Sequence, residues 1–190
     1  MKKLIQGVGI NDAEYTLTAM VNGNRKKCPF YSTWENMLKR CYSAAYISRR
    51  PTYNGCTVCE EWLTFSNFRR WMVKQDWKGK ALDKDILFVG NKEYAPDKCC
   101  FVTREINNLL LDRKASRGKH PIGVYFDKQA KKFKAQCNEN GKSIHLGCYD
   151  NPEDAHKAYV DFKRELIKSV AKNQQDQRIK SALEKRAELI

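Results

Sequence analysis

Histidine is scarce in this chain. There are three, at positions 120, 145 and 156, so the first 119 residues contain no imidazole. Proton transfer there would fall to an aspartate, a weak base unless burial raises its pKa. Long apolar runs are also missing. The longest fall far short of a membrane span, and "MKKLIQGVGIND" lacks the apolar core of a signal peptide, so the expectation is a cytoplasmic protein without a membrane partner. Internal repeats and low-complexity tracts are absent too.

Acidic residues are under-represented. Lys and Arg number 36 against 22 Asp and Glu, giving a formal net charge of +14 and a pI near 9.4. An excess of this size in a folded chain points to a polyanion, nucleic acid first. An anionic membrane surface is the weaker alternative, because no segment combines a basic face with bulky apolar anchors. A charged surface kept for solubility is the plain alternative. The 42% hydrophobic and 31% charged composition and the length of 190 residues suit one ordinary folded domain or two small ones.

Residues 1–29 read as an N-terminal arm or hairpin. "KLIQGVGI" and "YTLTAMV" suit two strands with a turn at Gly23-Asn24. In "STWENMLKRCY", Ser32 and Glu35 have capping-box spacing, and Trp34, Met37, Leu38, Cys41 and Tyr42 fall on one helical face. "CTVCEEWLTFSNFRRWM" gives a second apolar helix or pair of turns. Residues 81–89 and 99–103 suit two strands, and Thr103 can cap a short helix burying Ile106, Leu109 and Leu110. These elements make a block spanning residues 30–112. "DRKASRGKHP" supplies a basic linker over residues 113–121.

The pattern then restarts as a module over residues 122–172. "IGVYFDK", "KKFKAQCN" and "SIHLGCY" are three short strands, "ENGK" is a hairpin turn, and Asn151-Pro152 opens a helix with a stripe from Ala155 to Val170. Residues 173–190 add a polar C-terminal helix with a thin apolar face. Residues 113–145 hold nine Lys or Arg against two acidic residues, half of the chain's positive excess. Strand alternation puts Phe133, Ala135 and Cys137 on one face and Lys132, Lys134 and Gln136 on the other. The first face can cover the helix. The second suits phosphates and base edges.

The stretch "GVYFDKQAKKFKAQCNENGKSIHLGCYDNPEDAHKAYVDFK", residues 123–163, resembles the apetala/ethylene-response-factor DNA-binding domain. Gly123, Val124, Phe133, Ala135, Leu146, Gly147, Tyr149, Ala155, Ala158 and Tyr159 match that pattern in order. The resemblance implies double-stranded DNA as partner, with the sheet in the major groove. Plant members read DNA with Arg and Trp. Here the sheet offers Tyr125, Gln136, Asn138 and His145 together with Lys128, Lys132, Lys134 and Lys142. Lysine suits phosphate, whereas Gln136 and Asn138 suit bidentate contacts to adenine. His145 and His156 otherwise read as surface or cap residues.

Upstream, "LDKDILFVGNKEYAPDKCCFVTREINN" has a strand, turn, strand, helix rhythm. With "TWENMLKRCY" and "PTYNGCTVCEEWLTFSNFRRWM", it resembles bacteriophage and mobile-element homing endonucleases of the HNH, or ββα-metal, type, joined to an apetala-type domain. The fold class expected is therefore α+β: an HNH-like ββα-metal block with flanking helices, then a small three-stranded antiparallel sheet packed on one helix. By this resemblance the host compartment is a bacterial cytoplasm, and the chain hydrolyses DNA phosphodiesters with one Mg²⁺ or Mn²⁺. Oxygen donors for such an ion are Asp83, Asp85, Asn91 and Asn107, with Asp85 as a ligand and Asn107 completing the site from the helix, as a helix residue does in this fold. Asp83 and Asp85 share a face if residues 81–89 form a strand, Asn91 orders the loop, and Lys84 faces the other way to meet a phosphate. The usual histidine base is missing, so Asp83 or Asp85 would have to serve. The other reading is that both aspartates are strand-end charges facing Lys or Arg.

Cysteine is plentiful, with eight in the chain. A secreted protein would use them as disulfides, whereas a reducing compartment favours metal binding or burial. Cys56 and Cys59 have zinc-knuckle spacing. With Cys41 and Cys99 they would complete a structural Zn²⁺ site, and burial without a metal is the alternative. Cys137 and Cys148 read as core of the C-terminal module. Three functions stay open at this level: a DNA endonuclease, a DNA-binding protein without catalysis, such as a regulator or a factor that interferes with host DNA or defence, and a protein-binding inhibitor of a host factor. Oligomeric state is not legible.

Overall fold

The computed structural model describes residues 4–111 and 118–190, so residues 113–117 of the expected linker lie outside the described residues. The fold is mixed α+β and divides into two compact units, Met1–Thr103 and Arg104–Ile190. No helix among the described residues is long and apolar enough to cross a membrane.

The first unit begins with a turn closed by Ile5 and Gly9, whose amides and carbonyls exchange hydrogen bonds of 2.8 Å. "KLIQGVGI" therefore does not form the expected strand. The hairpin comes later: β1 (Thr18–Val21) pairs antiparallel with β2 (Asn24–Lys27). Its two-residue loop is Asn22-Gly23, with φ of 51° and 72°, one residue before the expected turn. Both positions need positive φ, which Asn and Gly tolerate.

Helix α1 (Pro29–Tyr42) starts three residues before the expected cap. Cys28 precedes it without a side-chain capping bond, and Pro29 supplies the preset first turn. Ser32 thus lies inside the helix, and Glu35 pairs with Lys27 rather than closing a capping box. The apolar stripe is where periodicity puts it: Tyr31, Trp34, Met37, Leu38 and Cys41 are buried. Gly9 touches this stripe, and a β-carbon there would stand 2.3 Å from a Leu38 methyl and 3.0 Å from the Trp34 ring. Helix α2 (Ala44–Arg49) follows. Then come a 3₁₀ turn over Pro51–Tyr53, β3 (Thr57–Val58), a second 3₁₀ turn over Glu60–Leu63, and α3 (Phe65–Met72). The core is aromatic, and Trp34, Trp62, Phe65 and Phe68 are fully buried in it. The Trp34 indole N–H donates to the Trp62 carbonyl at 2.7 Å, so its polar atom is satisfied there.

Three short strands follow: β4 (Ala81–Asp83), β5 (Glu93–Tyr94) and β6 (Cys100–Val102). β4 pairs antiparallel with β6, and β5 pairs parallel with β3. β4 ends at Asp83, not at residue 89. The Asp83 carboxylate accepts from the backbone N–H of Asp85 at 2.7 Å and of Ile86 at 2.8 Å, turning the chain out of the strand.

The second unit opens with α4 (Arg104–Leu109). The sheet β7 (Val124–Asp127), β8 (Lys132–Glu139), β9 (Lys142–Tyr149) is antiparallel in that order. It packs on α5 (Pro152–Lys172), and α6 (Gln177–Glu188) packs back on α5. Asn151 caps α5 by accepting from Asp154 N–H at 2.8 Å, with Pro152 in the first turn as the sequence predicts. Ile167 and Ala171 extend the α5 buried surface, while Ile179, Leu183 and Ala187 form the thin apolar face of α6.

Candidate functional site

The sheet of the second unit has one covered face and one open face. Cross-strand partners share a face, so Val124, Ala135 and Gly147 line up toward α5, with Ala135 and Cys137 buried. Gly123 holds the first strand down: its φ is +80°, and a β-carbon there would stand 2.1 Å from the Tyr159 ring. His156 helps to fix the same corner, its Nδ1 lying 3.0 Å from the Ile122 carbonyl oxygen. Between the Ala135–Gly147 and Gln136–His145 pairs the register shifts, leaving Leu146 as the extra residue of a bulge.

The open face follows from the same register. Tyr125, Lys134 and Cys148 form one row, Gln136 and His145 the next, and Asn138 and Ser143 the third. Of these, Tyr125, Gln136, Asn138, Ser143, His145 and Cys148 are exposed. Ser143 Oγ lies 3.2 Å from Gln136 Oε1, and His145 Nε2 lies 3.8 Å from Cys148 Sγ. The far end is a two-residue turn, Asn140-Gly141, with φ of 50° and 80°. Asn138 Oδ1 accepts from Gly141 N–H at 3.1 Å, so this side chain braces the turn while its amide nitrogen remains on the face.

Charge on this face is partly internal. Lys134 pairs with Asp127, and Lys132 pairs with Asp150. The Lys134 ammonium, aided by the Ala130 and Gln129 backbone N–H groups, pulls the Asp127 carboxyl down to about 2. The expected phosphate contacts at Lys132 and Lys134 therefore start from existing ion pairs. Lys128, in the β7–β8 loop, and Lys142, the first residue of β9, are exposed and have no carboxylate partner among the described residues. The structure brings together Tyr125, Lys132, Lys134, Gln136, Asn138 and His145, with Lys128 and Lys142 at the ends.

The aspartates of the first unit have another arrangement. Lys84 is 5% exposed, and its ammonium donates to both Asp85 carboxylate oxygens at 2.8 and 2.9 Å and to the Asn91 carbonyl at 2.6 Å. The Asn91 side chain donates to the Lys84 and Glu93 carbonyls and accepts from Glu93 N–H, so it does order the loop. Asp83 lies at the strand end and Asp85 beyond it, so the two do not share a strand face. Burial raises its carboxyl pKa, against the opposing effect of the Ile86 and Asp85 N–H groups. Asn107 is on α4, in the second unit. Asp83, Asp85 and Asn91 thus lock a loop. Asp85 gives its oxygens to Lys84, and Asn91 gives its amide to backbone, so the set does not fit an open Mg²⁺ site as it stands.

Cys41, Cys56 and Cys99 lie inside the aromatic core, and Cys59 is at its margin. Cys41 Sγ donates toward the Thr57 carbonyl at 3.7 Å. Burial pushes the Cys41 thiol up to about 12 and raises Cys59 and Cys99 as well. Among the described residues, no three His, Cys, Asp or Glu side chains are grouped to hold a metal ion. Cys137 is buried, as expected, whereas Cys148 is exposed on the open face.

Sequence reasoning passed over Arg40. Its guanidinium sits 5.8 Å from the Tyr53 ring centroid, hydrogen-bonds the Tyr94 side chain, and donates toward the Leu82 carbonyl at 3.5 Å. The one available signal was an arginine bordering the apolar stripe of α1. A scan of protein-family models and searches of curated proteins and solved structures find no match to this chain.

Proposed function

We propose that this protein binds double-stranded DNA through the open face of β7, β8 and β9. One observation carries the reading: Tyr125, Gln136, Asn138, Ser143 and His145 stand exposed in register on one sheet face, in a chain of net charge +14. A face of this kind supplies amide and imidazole groups for base edges and an aromatic ring for packing. Lys128 and Lys142, free at its ends, suit the flanking phosphates. Lys132 and Lys134 join them on exchanging Asp150 and Asp127 for phosphate.

The test is duplex binding by fluorescence anisotropy across a salt series. Gln136→Ala with His145→Ala should weaken binding at least tenfold, on the scale of ~1–3 kcal/mol per good base contact. Lys142→Ala should weaken it for every sequence alike and lower the salt slope by about one. Equal binding by wild type and both variants would refute the assignment.

This reading does not require cleavage. The locked arrangement of Lys84, Asp85 and Asn91 supports a binding protein over the endonuclease that the sequence resemblance implies. Incubating supercoiled DNA with the protein and Mg²⁺ or Mn²⁺ separates the two: intact plasmid agrees with binding alone, and nicking abolished by Asp83→Ala would reinstate hydrolysis.

A further inference from the structure

From the shape and charge of the hairpin β1–β2 we infer a second contact to duplex DNA, in which the ribbon enters the major groove tip first. This inference rests on the binding reading above. Half of the positive excess lies outside residues 113–145, so the C-terminal sheet does not account for all of it. The sequence "NRKK" forms the whole of β2, and every residue of that strand is exposed.

Exposure on both faces is the informative feature. Met20 and Arg25 are cross-strand partners on one face, and Ala19 and Lys26 are partners on the other. All four are exposed, and Met20 reaches 68%. A two-stranded ribbon with neither face covered gains little stability from burial and is marginal by itself. This one is held at its base. Cys28 N–H donates to the Leu17 carbonyl at 2.7 Å, and Lys27 bonds Glu35 while lying 4.9 Å over the Tyr31 ring. Beyond that clamp Ala19, Met20, Asn24, Arg25 and Lys26 are exposed.

Size and charge identify the occupant. Four residues per strand give a reach of roughly 13 Å, and a two-stranded ribbon fits a major groove of about 12 Å width. Arg25 and Lys26 point to opposite faces, so a ribbon entering by its tip offers one cation to each phosphate wall. Among the described residues neither has a carboxylate partner, whereas Lys27, next along, pairs with Glu35. Arg25 Nη2 lies only 3.5 Å from Thr18 Oγ1, a weak contact that a phosphate would replace.

The experiment uses the full chain and random-sequence duplex, with salt titration and hydroxyl-radical footprinting. The Arg25→Ala, Lys26→Ala protein should lose about two units of salt slope and roughly tenfold affinity near 0.1 M salt. It should also lose one patch of backbone protection, with unchanged thermal unfolding. Arg25→Lys, Lys26→Arg should retain the slope. Unchanged slope and footprint in the alanine protein, with binding still lost on Gln136→Ala, His145→Ala, would overturn the ribbon contact and leave the sheet reading standing. A wild type without salt-dependent duplex binding, or one preferring single-stranded RNA or an acidic polypeptide, would overturn both.

Discussion

Lys84 is buried with its charge between Asp85 and the Asn91 carbonyl, and this changes what a substitution at Asp85 reports. Removing Asp85 leaves an ammonium short of its counter-charge. Asp85→Ala should destabilise the protein by ~1–3 kcal/mol, at the lower end because the carboxylate is half exposed. Lys84→Met with Asp85→Ala should recover part of that loss in a urea melt, because it removes the orphaned charge. A double variant less stable than the single would show that the pair does not lock the loop. Asp83 makes the opposite electrostatic contribution. Its folded pKa is raised by burial, so its contribution is most favourable when protonated and is lost as pH rises through the folded value. Asp83→Asn preserves the acceptor for the Asp85 and Ile86 N–H groups and removes the buried charge. It should raise the melting temperature at pH 7, and that gain should vanish near pH 3, below the ordinary carboxylate range of about 4. These roles were only half legible. A strand from 81 to 89 would have put Asp83 and Asp85 side by side, but a side-chain turn at Asp83 ended the strand, and local spacing does not reveal which competitor wins.

At the scale of elements, Gly123 is the most exacting position of the C-terminal module. Its φ is positive, and Tyr159 fills the space of a side chain. Gly123→Ala should cost ~2–4 kcal/mol from strain and overpacking together, read as a lower urea midpoint. Gly141→Ala, where nothing lies within 4 Å, should cost only the positive-φ penalty. Similar losses at the two sites would show that Tyr159 does not press on Gly123. This module was legible because alternation, the Asn-Gly turn and the Asn-Pro cap all agree on the same sheet and helix. The start of α1 was not. Ser32 and Glu35 have the right spacing, but Pro29 fixes φ earlier, and Lys27 takes Glu35 for an ion pair. The N-terminal ribbon was displaced for a similar reason, since Asn22-Gly23 makes a better tight turn than Gly23-Asn24.

For the whole molecule, α+β composition and the order of elements followed from periodicity and punctuation, whereas the division into units after Thr103 did not. Apolar patterning marks which residues are buried but not which buried groups share a core, so Cys41, Cys56 and Cys99 were equally consistent with a metal site and with packing. The structure puts all three in the aromatic core. Net charge bears on the partner rather than on the fold, and half of the excess falls in residues 113–145. The most direct test of the account is the dependence of duplex DNA affinity on salt for wild type and for the Gln136→Ala, His145→Ala protein. The account predicts that log affinity falls steeply and linearly with log salt for both, with the variant at least tenfold weaker throughout and nearly unchanged in slope. Affinity indifferent to salt, or identical in the two proteins, would contradict it.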